Sequence, residues 1–429
     1  MPTPPEYPVL LRTIAGVPVL DLARRFGTPT YVYDAEMIRR RIADLGKFDY
    51  VRYAQKACSN LAILDLIRRQ GALVDCVSAN EIRRALAAGY KIEGEPPPIV
   101  YTADIFDAES LELCVQKRIH VNCGSSDMID QLGERISGTG ITLRINPGFG
   151  HGHSQKTNTG GKQAKHGIWH TQIADCLARA ERYRLTVTGL HMHIGSGTDM
   201  EHLSQVCGAM EKAAVEIGPS LQSINAGGGL PTVYRPTDSY IDLDAYFALW
   251  DATRKRLEEE FGHPLRLEIE PGRYLVAESG YLVTEIRAVK RQDDNIFYLV
   301  DAGFNNLART ILYGSYHPMS IVRNSPHPNP LPKGEGSKAL EQDVIVGGPL
   351  CESGDIFTQE EGGYVTTRRL PVAQVGDLLV IACAGAYGFV MGSNYNSKPL
   401  AAEVLIDAGQ ARLIRRRQTF EDLVREEQV

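Results

Sequence analysis

The sequence of 429 residues predicts an α/β fold, a (β/α)8 barrel of the TIM type plus a mainly antiparallel, sandwich- or barrel-like β domain. Three observations lead to this prediction. Short β-rich runs alternate with helical stretches eight times within residues 31–275, which is typical of βαβ units and a parallel sheet. That span also matches the size of an eight-unit barrel. Over residues 276–429 short β-like runs separated by turns dominate, and residues 1–30 are expected to join this second domain.

The predicted barrel strands are short and rich in apolar residues. They are VRYA (51–54), LVDCV (73–77), PIVYT (98–102), IHVNC (119–123), ITLRIN (141–146), VTGLHMH (187–193), SINAGG (223–228) and LRLEIEP (265–271). Segments between them, such as SNLAILDLIRRQG (59–71), carry apolar residues at helical spacing and end in glycine. A doubly wound open sheet is the alternative arrangement of the same elements.

Two segments are predicted to be long loops. Residues 323–336 contain four prolines between Pro326 and Pro332, which favours an exposed segment without a chemical role. Residues 148–167 are polar and rich in glycine and follow the carboxyl end of a strand. This second segment is interpreted as a mobile active-site loop, with a plain long connection as the alternative.

Composition excludes several classes of protein. The 46 Lys and Arg residues against 52 Asp and Glu give a formal charge of −6 and a pI near 6.0, which argues against binding to nucleic acid. No apolar run reaches about 18 residues, and no secretory signal is visible. Eight cysteines without a CxxC pair predict buried thiols in a reducing compartment, so a cytoplasmic protein is expected.

A lysine stands at the first predicted strand end. The active site of a barrel lies at the carboxyl ends of its strands, and Lys56 in YAQKACSN follows the first one. A rim lysine that reaches solvent is the structural interpretation. The functional interpretation is an amine that forms a Schiff base with an aldehyde.

The later strand ends carry histidines, glycines and carboxylates. His191 and His193 face the same way on a strand, which permits a metal pair, although no third ligand is evident and no metal is expected. Gly195–Gly197 and Gly227–Gly229 have the pattern of phosphate-binding loops on neighbouring late strands, with flexible turns as the alternative. Glu268 and Glu270 end the last strand, where a carboxylate can hold a pyridine nitrogen protonated or simply form a salt bridge. Together with Lys56, these features predict pyridoxal 5'-phosphate (PLP) as the cofactor.

The chain resembles the barrel-type PLP-dependent decarboxylases, and within them the branch that acts on meso-2,6-diaminopimelate. The resemblance extends over nearly the whole chain. The motifs that carry it are YVYD (31–34), RYAQKACSN (52–60), NPGFGHGHSQKTNTGG (146–161), KHGIW (165–169), HMHIGSG (191–197), AGGGL (226–230), EIEPGR (268–273), LVDAGFN (299–305), YGSYH (313–317), GPLCESGD (348–355), GAYG (385–388) and SNYNS (393–397).

The resemblance implies a role for each matching residue. Lys56 is implied as the lysine that binds the cofactor, and Cys351 as a proton donor placed across the interface of a homodimer. The cofactor-binding positions implied are Asp75, Arg144, His193 (which stacks on the ring), Ser196, Gly227, Gly228, Gly229, Glu270 (at the pyridine nitrogen), Gly272, Arg273 and Tyr387. The substrate-binding positions implied are Arg273, Arg309, Tyr313, Glu352 and Tyr387.

The implied activity is decarboxylation of meso-2,6-diaminopimelate to L-lysine and CO₂, the last step of lysine biosynthesis by this route. A racemase of the same architecture is an alternative, but a carboxylate at position 270 opposes it. A catalytically inactive relative is expected to have lost Lys56 or Cys351, and both are present. A decarboxylase for arginine or a polyamine precursor is disfavoured by the CESGD and HGHSQKTNTGG motifs but stays open on physical grounds.

Overall fold

The structure is a computed structural model that describes residues 6–150, 159–193, 195, 200–324 and 340–428. The chain divides into two compact units. The barrel unit comprises residues 39–231 and 240–275, and the second unit comprises residues 6–38, 232–239 and 276–428. Within the described ranges, no helix combines the length and the apolar character that a membrane crossing requires.

The first elements of the chain belong mainly to the second unit. They are β1 (Thr13–Ile14), β2 (Val17–Pro18), α1 (Val19–Phe26), β3 (Thr30–Asp34) and α2 (Ala35–Ala43). Strands β1 and β2 form a small antiparallel pair. Val19 and Leu22 of α1 are buried, because the apolar face of this short helix packs into a core of aliphatic side chains.

Nine parallel strands form the sheet of the barrel unit. They are β4 (Tyr50–Ala54), β5 (Leu73–Cys76), β6 (Ile99–Ala103), β7 (His120–Cys123), β8 (Gly140–Asn146), β9 (Ile168–Trp169), β10 (Thr186–His191), β11 (Ser223–Asn225) and β12 (Arg266–Ile269). Eight of them close a ring, because β12 pairs with β4 and β10 pairs with β8, whereas β9 only extends the end of β8. The predicted (β/α)8 barrel is thus confirmed, and the open sheet is excluded.

Helices follow the barrel strands. They are α3 (Leu61–Arg69), α4 (Ala79–Ala87), α5 (Ala108–Lys117), α6 (Ser126–Gly133), α7 (Ile173–Arg182), α8 (Met200–Ile217), α9 (Leu243–Phe261) and the short α10 (Arg273–Val276). Several begin at a side chain that accepts a hydrogen bond from a free backbone N–H. Asn60 does so for α3, Ser78 for α4 and Asp107 for α5, so the βα turns are fixed by local sequence.

The remaining elements form the second unit. They are β13 (Gly280–Gln292), β14 (Asn295–Val300), α11 (Arg309–Tyr313), β15 (Met319–Val322), β16 (Glu341–Gly347), β17 (Arg368–Pro371), β18 (Leu378–Ile381), β19 (Ala402–Asp407), β20 (Gln410–Arg415) and α12 (Phe420–Val424). The main sheet has the order β17-β16-β14-β13-β3-β19-β20. Its pairs are antiparallel except β14 with β16 and β3 with β19, which confirms the mainly antiparallel prediction.

The interior of the barrel is unusually polar. Arg52 on β4 donates from Nε and Nη2 to Glu268 Oε2 on β12, at 3.1 and 3.0 Å, and both side chains are buried. A cavity of about 210 Å³ is lined by these two residues and by Asn122, Asn225 and Glu270. Buried charges are tolerated only when they are paired, so this ion pair is a point where the fold is vulnerable.

Replacement of Arg52 by methionine is expected to destabilise the barrel by about 3 to 5 kcal/mol, because it leaves Glu268 buried without its cation. Denaturant unfolding of the variant measures this loss. The matched double variant Arg52→Met/Glu268→Gln removes the stranded charge and is expected to recover much of the stability. A single variant as stable as the wild type would show that the pair is not desolvated.

Candidate functional site

Lys56 lies in a single 3₁₀ turn, Gln55–Ala57, directly after β4. Its neighbours in this turn are buried, whereas Lys56 itself is exposed. The ammonium lies close enough to shift the pKa values of Asp75, Glu81 and His193. The lysine therefore stands at the carboxyl end of the barrel with an acidic residue and a histidine around it.

Asp75 on β5 is buried in the same region. Burial raises the pKa of this carboxyl to about 7, and the charge of Glu270 adds to the rise while Lys56 opposes it. One of its oxygens, Oδ1, has no hydrogen-bond partner among the described residues. A buried acceptor without a partner is rare in folded proteins and indicates a group that completes its bonding when a ligand binds.

The raised pKa of Asp75 predicts a pH-dependent stability. The carboxyl is harder to ionise in the folded chain than in the unfolded one, so its contribution is complete below about pH 4 and is lost as the pH rises through about 7. Asp75→Asn should therefore stabilise the cofactor-free protein more at pH 8 than at pH 5, by at most about 3 kcal/mol. Thermal unfolding at both pH values measures this. The exposed Asp127→Asn is the control and should show no such difference.

Glu270 follows β12 and is held from two sides. His191 Nε2 lies 2.9 Å from Glu270 Oε2, and Asn225 Nδ2 donates to Oε1 at 2.9 Å. Burial alone would raise the pKa of this carboxyl, but the charge and hydrogen bond of His191, with Arg52 and Arg144, lower it to about 2. The carboxylate is consequently ionised at every physiological pH.

The loop after β11 has the shape of an anion cradle. Gly227 and Gly229 have φ values of 66° and 101°, which favour glycine. A Cβ on Gly227 would collide with the carbonyl of Met192, and one on Gly228 would approach the carbonyl of Glu270 to 2.6 Å. Only glycine lets this backbone approach its neighbours so closely, and a loop without Cβ atoms is typical of anion sites.

His193 lies beside this loop. Its Nδ1 accepts a hydrogen bond from the N–H of Gly228 at 3.1 Å. Burial lowers the pKa of His193 well below its usual value, and the charges of Arg144 and Lys56 act in the same direction. The ring is therefore neutral, as an aromatic face that stacks on a ligand requires.

The other barrel residues predicted as cofactor ligands are placed as follows. Arg144, on β8, is buried and acts electrostatically on His193 and Glu270. Gly272 lies against β4, where a Cβ would stand 3.2 Å from the carbonyl of Ala54. Arg273 begins α10. Ser196 lies outside the described residues, as do residues 151–158 of the predicted loop 148–167 and most of the proline-rich segment 323–336.

The described ends of the 148–167 segment are joined by one side chain. Asn146 Oδ1 accepts from the N–H groups of Gly148 and Gly161, and its Nδ2 donates to the carbonyls of Gly161 and His166. Thr159 Oγ1 donates to the carbonyl of His193 at 2.9 Å. Asn146 thus ties the base of this segment next to the strand that carries the histidines.

The second unit brings together part of the predicted substrate site. Arg309 is buried at the start of α11, and its Nη2 donates to Ser315 Oγ at 3.0 Å. Its guanidinium carbon lies 5.5 Å from the ring centroid of Tyr234 and 5.9 Å from that of Tyr313. At these distances both aromatic rings can contact the guanidinium through cation–π interactions.

Tyr387, Cys351 and Glu352 also belong to the second unit. Tyr387 has a φ of 56°, a left-handed backbone conformation that is uncommon for a non-glycine residue. Cys351 and Glu352 are exposed, and the N–H of Cys351 donates to Asn396 Oδ1 at 2.7 Å. The thiol of Cys351 is free, and it is the exposed one among the eight cysteines.

Residues 36–277 match the family described as "Pyridoxal-dependent decarboxylase, pyridoxal binding domain". This match covers more than half of the chain. The chain belongs to the pyridoxal-dependent decarboxylases. The relatives in this family include the diaminopimelate decarboxylase of Escherichia coli K12, with 53% identity over 95% of each chain. The diaminopimelate decarboxylase of Streptomyces coelicolor is 51% identical over 99% of this chain and 94% of its own.

Solved structures agree with this decarboxylase assignment. A crystal structure of a diaminopimelate decarboxylase has a TM-score of 0.90 and 53% identity, and the match covers 95% of this chain and 96% of the other. The diaminopimelate decarboxylase of Helicobacter pylori, solved in complex with L-lysine, has a TM-score of 0.81 and 30% identity over 95% of this chain and 99% of its own.

The barrel residues fit the cofactor of the pyridoxal-dependent decarboxylases. PLP carries an aldehyde, a phosphate and a pyridine nitrogen. The described barrel unit offers an exposed amine at Lys56, a glycine loop that admits no Cβ, and an ionised carboxylate at Glu270. The unpartnered Asp75 Oδ1 is a further sign that a polar ligand belongs here.

Two contacts of this decarboxylase site were not predicted from its sequence. From the sequence, His191 could form a metal pair with His193. In the structure His191 Nε2 contacts Glu270, and His193 Nδ1 accepts a hydrogen bond from the glycine loop. The sequence assigns no role to Asn225. Both His191 and Asn225 lie in predicted strand runs, but their pairing in register is a feature of the tertiary structure.

Proposed function

We propose that this chain decarboxylates meso-2,6-diaminopimelate to L-lysine and CO₂, the last step of lysine biosynthesis by the diaminopimelate route. The observation that carries the reaction type is the ionised carboxylate of Glu270 at the carboxyl end of a barrel that also bears Lys56. The substrate is supported by relatives named diaminopimelate decarboxylase that are 53% identical over nearly their whole length.

The barrel residues divide the work of holding the cofactor. PLP, when bound, supplies an aldehyde for the substrate amine and a ring that takes up the electron pair left by the departing carboxylate. In this proposal Lys56 Nζ anchors the aldehyde, and the Gly227–Gly229 loop lets the phosphate approach the backbone closely, with Ser196 and Gly272 beside it. His193 gives an uncharged face to the ring, and Glu270 keeps a proton at the ring nitrogen. Asp75 and Arg144 complete the polar surroundings.

The second unit is proposed to recognise the distal end of the substrate. Arg309 offers paired N–H donors to the second carboxylate, and Tyr313 lies against its guanidinium. Glu352 is proposed to accept from the distal ammonium, and Arg273 and Tyr387 to contact cofactor and substrate together. Lysine and ornithine lack the second carboxylate, so they would not form this paired contact with Arg309.

Cys351 is proposed to deliver the proton that replaces the lost carboxylate at Cα. A thiol is able to act as a general acid, and that of Cys351 is free and exposed. Cys351→Ala is expected to bind PLP normally and to lower kcat by about 100-fold or more. The adjacent Ser353→Ala is the control for a change in this exposed loop. A Cys351→Ala variant with unaltered turnover would remove the thiol from the mechanism.

We also propose that the protein acts in the cytoplasm as a homodimer whose active sites are shared. The eight cysteines are thiols outside any disulfide, and seven of them are buried, which suits a reducing compartment. The exposed Cys351 and Glu352 are the residues proposed to reach the second copy. Mixing the inactive Lys56→Ala and Cys351→Ala variants tests this, because exchange between shared sites should restore one intact site per mixed dimer. No recovery, with subunit exchange demonstrated by mass spectrometry, would contradict sharing.

The function itself is tested by CO₂ release from purified holoenzyme. The substrates to compare are meso-diaminopimelate, lysine, ornithine and arginine. Release from diaminopimelate alone is expected, and Arg309→Met should raise KM for this substrate strongly, because a charge-assisted pair is lost. Release from another amino acid would overturn the assignment of Arg309 and Glu352. Racemisation without CO₂ release would overturn the decarboxylase proposal.

A further inference from the structure

The contact between His191 and Glu270 has no role in the function proposed so far. Both side chains are buried, with 1% and 8% of their surface exposed, and Nε2 and Oε2 are 2.9 Å apart. A carboxylate only accepts hydrogen bonds, so His191 Nε2 must carry the proton of this bond. The other ring nitrogen, Nδ1, has no partner among the described residues, which leaves Glu270 as the group that fixes the histidine.

The second contact to Glu270 is fixed independently. Asn225 Oδ1 accepts from the N–H of Gly227 at 2.8 Å, which forces the amide nitrogen to face Glu270 Oε1. The N–H of Glu270 in turn donates to the carbonyl of Gly227 at 2.8 Å. Among the described residues, each carboxylate oxygen thus has one side-chain donor, and each oxygen has lone pairs enough to accept another bond from a ligand.

These donors decide where a shared proton resides. A hydrogen bond between Glu270 and a pyridine nitrogen has two forms, a carboxylate with a pyridinium and a carboxylic acid with a neutral pyridine. Burial favours the second form, because it carries no charges. A hydrogen bond from His191 stabilises the carboxylate more than the carboxylic acid, because the bond to a charged acceptor is stronger, and so favours the first form.

We propose that His191 is a positioning residue that keeps the shared proton on the ring nitrogen by holding Glu270 as a carboxylate. This inference rests on the proposed placement of the PLP nitrogen against Glu270. In this inference His191 acts on the protonation of the ring nitrogen, whereas His193, two residues further on, stacks on the face of the ring. Asn225 adds a second hydrogen bond to the carboxylate, and the charges of Arg52 and Arg144 act in the same direction.

The test is the ¹⁵N chemical shift of the ring nitrogen in holoenzyme reconstituted with ¹⁵N-labelled PLP. The wild type should give the shift of a pyridinium, and Glu270→Gln should give that of a neutral pyridine. His191→Met, which has no donor, should move the shift towards the Glu270→Gln value and lower kcat on the order of 10- to 100-fold. His191→Gln keeps an N–H donor and should restore most of the wild-type shift.

The matched control is His120→Gln. His120 is also on a barrel strand, but its Nε2 lies 2.8 Å from Thr142 Oγ1 and it makes no contact with Glu270 among the described residues. It should leave the ring-nitrogen shift unchanged. A wild-type shift in His191→Met would overturn the inference and leave the proposed function standing. A neutral pyridine in the wild type would overturn the placement of Glu270 as well.

A measurement on the wild type tests the same inference even if the His191→Met variant does not fold. In holoenzyme with ¹⁵N-labelled histidine, the resonances of His191 report which ring nitrogen carries a proton, and His191→Gln serves only to assign them. The inference requires a protonated Nε2. An Nε2 without a proton would overturn it, because such a nitrogen cannot donate to Glu270.

Discussion

Lys56→Ala is expected to lower CO₂ release by at least about 1,000-fold, the largest effect of any single substitution considered for this protein. The reason is that the substitution removes the amine that stands at the barrel mouth beside Asp75 and His193. The barrel itself should persist, because Lys56 is exposed and its turn is held by the buried Gln55 and Ala57. Steady-state kinetics of the variant measure the loss of CO₂ release, and its circular dichroism shows whether the barrel persists.

The control for Lys56→Ala is another exposed lysine of the barrel unit. Lys117 ends α5 and should tolerate alanine without loss of turnover. A small primary amine added to Lys56→Ala should recover part of the rate if the lysine acts as an amine. Turnover in Lys56→Ala close to that of Lys117→Ala would show that the chemistry takes place elsewhere.

Glu270→Gln is expected to lower kcat by about 100- to 1,000-fold with little effect on the fold. The side chain keeps its size and its contact with Asn225, but the negative charge that supports a protonated ring nitrogen is gone. The loss should appear in kcat rather than in KM, because the charge matters most when electrons move into the ring. Glu268→Gln on the same strand is the informative comparison.

The comparison with Glu268 tests whether any buried carboxylate of this strand end supports turnover, or only the one at position 270. It faces the barrel interior two residues before Glu270 but pairs with Arg52. Its replacement should reduce stability and leave kcat of the folded enzyme nearly unchanged. A Glu268→Gln variant with the larger loss of kcat would contradict the assignment of the two carboxylates.

The sequence was sufficient to predict the architecture of the barrel and the position of its chemistry. The strand runs ending at Lys56, Gly227 and Glu270 were recognisable because carboxyl ends of parallel strands gather polar residues on one rim. The pattern did not reveal that β3, which contains the run YVYD, pairs with β13 and β19. The β propensity of a run does not indicate which sheet it joins.

Partners across strands were harder to predict than positions along them. His191 and Glu270 are 79 residues apart, and their contact depends on the register of β10, β11 and β12. The positive φ of Tyr387 and the packing of Arg309 on Tyr234 likewise arise from tertiary structure. Local sequence carries no signal for such pairs, because the same residue types occur at many surface and core positions that make no such contact.

The central claim is that the amine of Lys56 anchors the cofactor at the carboxyl end of this barrel. Borohydride reduction of the holoenzyme converts the link between a lysine and the PLP aldehyde into a stable bond, and peptide mass spectrometry then identifies the lysine. We expect the modification on the peptide that contains Lys56, and its loss when substrate amine is present before reduction. A modification on any other lysine, or none in an active holoenzyme, would contradict the account.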